Sequence, residues 1–370
     1  MEVLLKLYAK VNLGDDLFLK IICERYPQHN FYLLAGEEYV EVNKWPNLHL
    51  INRGFNDNLI NKVLRGIGRK YAPFLFQKQL NKVYYKQFNY FKRDYDAFVS
   101  IGGSIFMQNQ TDIRLDNEII FYELINKVFA NKPRFFIGCN FGPYQTQIYL
   151  EKYRELFEKA TDVCFRDHYS YNLFKDLLTV RLAPDVVFGL KGNQEEIVKG
   201  TVGFSIVKAR KDIQAEAYYK KYAELIKAYC KQGYKPYLFS FCQSEGDEAA
   251  IQIVTSYINN DYGVSKVCYN GDIDEFLSVY SSIESMYCGR FHAMILSMLY
   301  GQNVLPIIYS KKMTNVLNDV GYKGDVIEME SFQNIEIDNV VKRKLLKGYN
   351  ISRESLMAAN QFKALDEFLL

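Results

Sequence analysis

The chain has 370 residues, of which 49% are hydrophobic and 24% charged. That exceeds the usual size of one domain, supplies apolar mass for two cores and excludes global disorder. A net charge of +3 is too small to mark nucleic acid as the main partner. Seven cysteines are scattered, form no Cys-x-x-Cys pair and lie mostly in apolar runs such as Val163-Cys164-Phe165. Buried thiols in a reducing compartment explain them better than disulfides or zinc ligands. Met1–Asp16 shows no charged leader or small-residue cleavage site, and no apolar run reaches the ~18 residues of a membrane span. A cytoplasmic protein is expected.

In chain order, Val3–Ala9 reads as a buried strand that stops at Asn12-Leu13-Gly14-Asp15-Asp16. Leu17, Phe18, Ile21 and Ile22 then recur at helical spacing. Strand, short polar loop and helix form the opening of a doubly wound domain, where Asp15 or Asp16 either caps the helix or faces a ligand. Phe31–Ala35 and Leu48–Ile51 are the next strands. Asn58–Arg93 breaks the rhythm with nine Lys/Arg, no Asp or Glu and eight Phe/Tyr. Its aromatics share one helical face and Lys78, Lys82 and Lys86 line another. Such a helix suits an anionic membrane surface or a lipid-diphosphate acceptor, or else is a solvated face over a core.

Asp96–Ile101 is a strand ending in Gly102-Gly103-Ser104, whose glycines admit a ligand close to the backbone. Asn117–Ala130 is helical, and strand Pro133–Cys139 ends in Asn140-Phe141-Gly142-Pro143. Strand Asp162–Phe165 closes on Arg166-Asp167, before a helix over Tyr169–Leu177 with Ser170 in its first turn. After Pro184-Asp185, a polar stretch over residues 191–200 is the expected linker between domains 1–190 and 201–350. The second half repeats the alternation with strands Thr201–Val207, Lys235–Phe241, Val264–Tyr269, Ile283–Cys288 and Asn303–Ile308. Helices are expected over Ala215–Lys231, Glu248–Ile258, Ile273–Ser281 and Phe291–Tyr300. A last helix, Ser352–Leu370, is expected to return to the first domain. Alternating strands and helices imply parallel sheets, an α/β protein with two Rossmann-like, doubly wound domains.

The most informative stretch is Tyr287-Cys288-Gly289-Arg290-Phe291-His292-Ala293. Strand, glycine turn and helix start place Arg290 and His292 at the carboxyl edge of a sheet, where open α/β folds bind ligands. Free amides and a guanidinium fork there suit phosphate or carboxylate, and His292 is one of only four histidines that could move a proton at neutral pH. Arg166 and Lys311 or Lys312 are further cations near strand ends. No P-loop, dinucleotide fingerprint, nucleophile elbow or metal-ligand spacing occurs, so no metal or cofactor is expected. Acid–base chemistry on a phosphate-bearing donor fits best.

These pieces together resemble the polysaccharide pyruvyl transferase family over about residues 3–321: Asn12-x-Gly14-Asp15, Gly102-Gly103, Gly142-Pro143, Arg166-Asp167 with Ser170, Asp185, Arg290-x-His292-Ala293 and Tyr309-x-x-Lys312. The resemblance implies two Rossmann-type domains facing across a cleft, the GT-B arrangement. It implies transfer of the enolpyruvyl group of phosphoenolpyruvate to two hydroxyls of one sugar, giving a pyruvate ketal and phosphate. Carried over residue by residue, it makes Arg166, Arg290, His292, Tyr309 and Lys312 donor-binding. His292 is then the acid–base group, helped by Arg290, with Asp15 orienting or deprotonating the acceptor. Asn12, Gly14, Asp15, Gly102, Gly103, Ser104 and Asn140 would line the acceptor side. The acceptor would belong to a cell-surface polysaccharide or its lipid-linked precursor. Phe291 stands where the family usually has Leu, and Asn140-Phe141 replaces a small glycine-containing segment. Two rival readings are a nucleotide-sugar glycosyltransferase using Asp272, Asp274 or Glu275, and a non-catalytic glycan-binding protein of an envelope assembly.

Overall fold

The computed structural model describes residues 1–35, 39, 44–52, 94–108, 112–113, 116–192, 195–258, 262–342, 345 and 347–370. Asn58–Arg93, with its lysine face, lies outside them. Two parallel sheets carry the described chain. The first joins β1 (Glu2–Lys6), β2 (Asn30–Ala35), β3 (Leu48–Asn52), β4 (Ala97–Ile101), β5 (Arg134–Cys139), β6 (Asp162–Phe165) and β7 (Val180–Leu182) in the order β3-β2-β1-β4-β5-β6-β7. The second joins β8 (Val198–Ser205), β9 (Lys235–Ser240), β10 (Ser265–Cys268), β11 (Ile283–Cys288), β12 (Asn303–Ile308) and β13 (Ile327–Glu328) in the order β10-β9-β8-β11-β12-β13.

Every strand of β4 to β6 is buried along its length, the apolar-run signature of a parallel sheet covered on both faces. Aromatics fill the first core. Phe106 lies 5.0 Å from both the Tyr153 and Phe157 rings, and Phe157 is 5.0 Å from Phe174. Burying one such ring contributes about 1.5–3 kcal/mol. In the second core Phe204 of β8 stacks on Tyr287 of β11 at 4.9 Å.

In each sheet the strand order reverses once, between β1 and β4 and between β8 and β11. Crevices at the carboxyl ends of such strand pairs are where open α/β sheets take ligands. The residues after β4, Gly102-Gly103-Ser104, and after β11, Gly289-Arg290, occupy those positions.

The chain divides into two compact units, one of Met1–Ala9, Ile22–Ala183 and Asn360–Leu370, the other of Lys10–Ile21 and Pro184–Ala359. This corrects the linker expected over 191–200. The boundary falls between Ala183 and Pro184, and residues 198–200 are already strand β8. Asp185 fixes that start by accepting the Val187 amide at 2.9 Å, which opens a 3-10 turn over Val186–Gly189. Residues 10–21 also belong with the second unit, not with Met1–Ala9. The Leu13 amide donates to the Phe241 carbonyl at 3.1 Å, and Tyr269 holds Asp16.

The final helix is not continuous. Helices Ser352–Met357 and Lys363–Leu369 are separated by a 3-10 turn, Ala358–Phe362. Buried Gln361 explains the break: it accepts the Gly138 amide at 2.9 Å and donates to the Phe165 and Ala183 carbonyls at 3.3 and 2.7 Å. Asp366 then binds Arg25 and Tyr26 within the first unit. Strands β7 and β13, of three and two residues, are too short for periodicity to reveal. Among the described residues no helix is long and apolar enough to cross a membrane.

Candidate active site

In the second unit the chain leaves β11 through Gly289, where a Cβ would lie 2.4 Å from the Ser205 carbonyl oxygen. Only glycine lets the turn approach β8 this closely. Ser205 Oγ accepts the amides of Gly289 and Arg290 at 2.9 and 3.0 Å. The turn is thereby stitched to the neighbouring strand, and Arg290 becomes the residue that starts helix Phe291–Leu299.

The Arg290 guanidinium is held by two carboxylates. Its Nε donates to Asp247 Oδ2 at 3.1 Å, Nη2 donates to Asp247 Oδ1, and Nη1 donates to Glu245 Oε2. Asp247 is fully buried, and its Oδ2 also accepts the amides of Phe241 and Cys242 at 3.0 and 3.1 Å. Burial pushes the Asp247 carboxyl above the ordinary carboxylate range, against the pull of Arg290. Burial also disfavours the charged guanidinium, but Asp247 and Glu245 more than offset this, so Arg290 stays a cation.

His292 sits in the first turn of the same helix, against Gly14. A Cβ on Gly14 would fall 1.9 Å from His292 Nδ1. The Phe18 ring meets the imidazole edge-on at 5.6 Å. The Gly14 amide donates to Asn12 Oδ1 at 3.1 Å, which shapes the loop under the ring. Asp16, fully buried, accepts the Tyr269 hydroxyl at 2.7 Å, while Asp15 is only partly buried. Lys312 Nζ lies 5.5 Å from the ring centres of both Phe291 and Tyr309, so its charge is near this site; Lys311 is exposed.

In the first unit Arg166, only 4% exposed, donates from Nη2 to Asn140 Oδ1 at 2.6 Å. A Cβ on Gly103 would lie 2.4 Å from both terminal nitrogens of that guanidinium. Gly102 takes φ +136°, a conformation that other residues adopt only with strain. Ser104 Oγ donates to the same Asn140 oxygen at 3.3 Å. Asp167 caps the helix His168–Phe174, accepting the Ser170 amide at 2.8 Å and the Ser170 hydroxyl at 3.1 Å. Ser170 Oγ in turn accepts the Phe141 amide at 2.8 Å, just before Gly142-Pro143.

The expected site residues therefore fall into two groups. Arg166, Gly102, Gly103, Ser104 and Asn140 stand together in the first unit. Asn12, Gly14, Asp15, Arg290, His292, Tyr309 and Lys312 belong to the second. The assignment of Asn12, Gly14 and Asp15 to the first domain is thus corrected. Sequence reasoning missed Ser205, Glu245, Asp247 and the Asp16–Tyr269 pair. Only Asp16 left a signal, as an acid at a helix start that either caps the helix or faces a ligand. Of the carboxylates weighed for a nucleotide ribose, Asp272 caps its helix at the Glu275 amide, 3.1 Å away, and Asp274 pairs with Lys20 at 3.4 Å.

The family model described as Polysaccharide pyruvyl transferase matches residues 12–311. Amylovoran biosynthesis protein AmsJ of Erwinia amylovora is 21% identical over 383 residues, 95% of this chain and 89% of that protein. Among solved structures, UDP-GlcNAc 2-epimerase from Neisseria meningitidis bound to UDP-GlcNAc superposes with TM-score 0.62 at 10% identity, covering 100% of this chain and 99% of that one. The UDP-GlcNAc 2-epimerase from Methanocaldococcus jannaschii gives 0.59 at 9% identity, covering 99% and 100%. At such identities the likeness concerns the fold alone, two parallel α/β sheets of the GT-B class.

Proposed function

The chain belongs to the polysaccharide pyruvyl transferase family, and from that premise we propose that it moves the enolpyruvyl group of phosphoenolpyruvate onto two hydroxyls of one sugar. The sugar belongs to a cell-surface polysaccharide or its lipid-linked precursor. The observation that carries this reading is the seating of His292 two residues after Arg290, on a backbone that only glycine at position 14 leaves open.

In this reading Arg290 and Lys312 face the donor phosphate, as cations suited to an anion. Protonated His292 gives its proton to the methylene carbon of the donor. The adjacent carbon takes on oxocarbenium character and is attacked by the first sugar hydroxyl. Phosphate leaves as the bond between that carbon and the phosphate's bridging oxygen breaks, and the second hydroxyl closes the ketal, each hydroxyl proton passing to a base or to water. A positioned acid–base group contributes roughly 10²–10⁴-fold to such transfers. Tyr309 flanks Lys312, and Asp15 at the helix start orients the acceptor hydroxyl. Asn12, Gly102, Gly103, Ser104 and Asn140 are assigned to the acceptor. Arg166, a buried cation of the first unit, is assigned to the donor carboxylate.

The test is release of inorganic phosphate from phosphoenolpyruvate by purified protein, with lipid-linked oligosaccharide from the producing cells as acceptor. Acceptor-dependent release that His292→Ala abolishes supports the reading. Release of a nucleoside diphosphate from a nucleotide sugar instead supports a glycosyltransferase. A His292→Ala strain with unchanged polysaccharide supports a binding protein.

A further inference from the structure

The two carboxylates on Arg290 are not equivalent. Asp247 is fully buried and bound at four points: two backbone amides of its own loop, Nε and Nη2. Withdrawing it would orphan the amides of Phe241 and Cys242 and take the carboxylate from Nε and Nη2 of the guanidinium. Glu245 differs in every respect. Its side chain is 35% exposed, and its hydrogen bond is to Nη1, on the outer edge of the fork. It ends a single 3-10 turn, Gln243–Glu245, followed by Gly246 at φ +89°. It can leave by rotating its own side chain, with the backbone undisturbed.

Charge makes the second carboxylate conspicuous. Asp247 alone neutralises Arg290, so Glu245 leaves the cluster one unit negative at the edge where an anionic donor is expected. An exposed carboxylate–guanidinium contact is weak and easily exchanged, whereas a phosphate dianion offers the same fork more charge. Lys208 runs alongside the loop, where a Cβ on Gly246 would lie 3.2 Å from its Cδ, and Lys312 lies beyond Phe291. With Glu245 gone the Arg290–Asp247 pair is neutral, and the two lysines alone set a positive local balance.

We propose that Glu245 is a displaceable counter-ion, holding the outer edge of Arg290 in the unliganded protein and yielding it to the phosphate of the donor, while Asp247 remains the fixed partner. This rests on the donor reading given above. Glu245 is a positioning residue that keeps the fork aimed and sets how tightly an anion is taken. A carboxylate that must be displaced also raises the threshold for weakly charged anions, so the site favours dianions over monoanions.

The experiment is calorimetric titration of the full chain with inorganic phosphate at neutral pH, comparing wild type, Glu245→Gln and Glu248→Gln. Glutamine keeps a hydrogen-bond acceptor at position 245 and removes only the charge. Glu248, whose Oε2 accepts from Gln243 Nε2 at 3.3 Å, controls for loss of any nearby negative charge. Glu245→Gln is expected to bind phosphate roughly 3- to 10-fold more tightly, and Glu248→Gln to stay within about twofold of wild type. Equal tightening in both variants, weaker binding in Glu245→Gln, or no phosphate binding by any of the three overturns the proposal. Should the charge effect appear while phosphoenolpyruvate is never turned over, the counter-ion stands and the donor reading falls.

Discussion

At the scale of single residues the site depends on two tight fits. Gly14→Ala places a methyl 1.9 Å from His292 Nδ1, so the imidazole must move. Turnover is expected to fall about 10²-fold, the cost of misplacing a reacting group by about an ångström, with the far-UV dichroism spectrum unchanged. Normal turnover would show that the ring position does not matter. Asp247→Ala removes the buried one of the two carboxylates on Arg290 and leaves the amides of Phe241 and Cys242 without their partner. Unfolding stability is expected to drop by about 3–5 kcal/mol, read from the urea midpoint. The Arg-x-His segment is legible from sequence because three adjacent residues and a glycine carry it. Its carboxylate partners are not, because Asp247 lies 43 residues earlier and nothing local marks an acid as the counter-ion of a distant arginine. Gly14 was legible as a motif member, but what it accommodates is a contact that only the fold creates.

At the scale of elements, helix and strand identities are carried by periodicity, and all eleven strands expected from apolar runs occur, with ends displaced by three residues at most. The elements that periodicity does not reveal, and the helix it draws as continuous, have local causes. Strands β7 and β13 are too brief to show a period, and the last helix is broken where Gln361 exchanges helical hydrogen bonds for contacts with three other segments. The first turn of helix Leu13–Arg25 is tied to the second unit by Tyr269 and Asp16. Tyr269→Phe removes the donor from a buried carboxylate and is expected to cost about 1–3 kcal/mol. Unchanged stability in urea would mean that Asp16 finds its partner elsewhere. Asn58–Arg93 remains a prediction from composition. If its lysine face meets anionic lipid, the protein floats with anionic vesicles at low salt, and reversing Lys78, Lys82 and Lys86 weakens this by up to about 1 kcal/mol per lysine. Absence of flotation at every salt concentration removes the idea.

At the scale of the whole molecule, two sheets of one kind were legible from the alternation of segments. The points where the chain passes between units were not, because long-range contacts define them. The cysteines also act at this scale. All seven are free, and burial pushes the thiols of Cys164 and Cys288 up to about 12 from an ordinary 9.0. A group whose pKa is raised by folding stabilises the fold below its unfolded pKa and loses that contribution as pH rises. Stability is therefore expected to hold up to about pH 9 and then decline toward about pH 12. A urea midpoint that rose over that interval would contradict the burial. At neutral pH iodoacetamide is expected to mark exposed Cys268 before Cys139, Cys164 or Cys288. The measurement that tests the central claim most directly is the mass of a defined lipid-linked acceptor after incubation with purified protein and phosphoenolpyruvate. The account predicts a gain equal to pyruvate less one water, lost in His292→Ala. An acceptor unchanged by phosphoenolpyruvate but extended by a sugar from a nucleotide donor would contradict it.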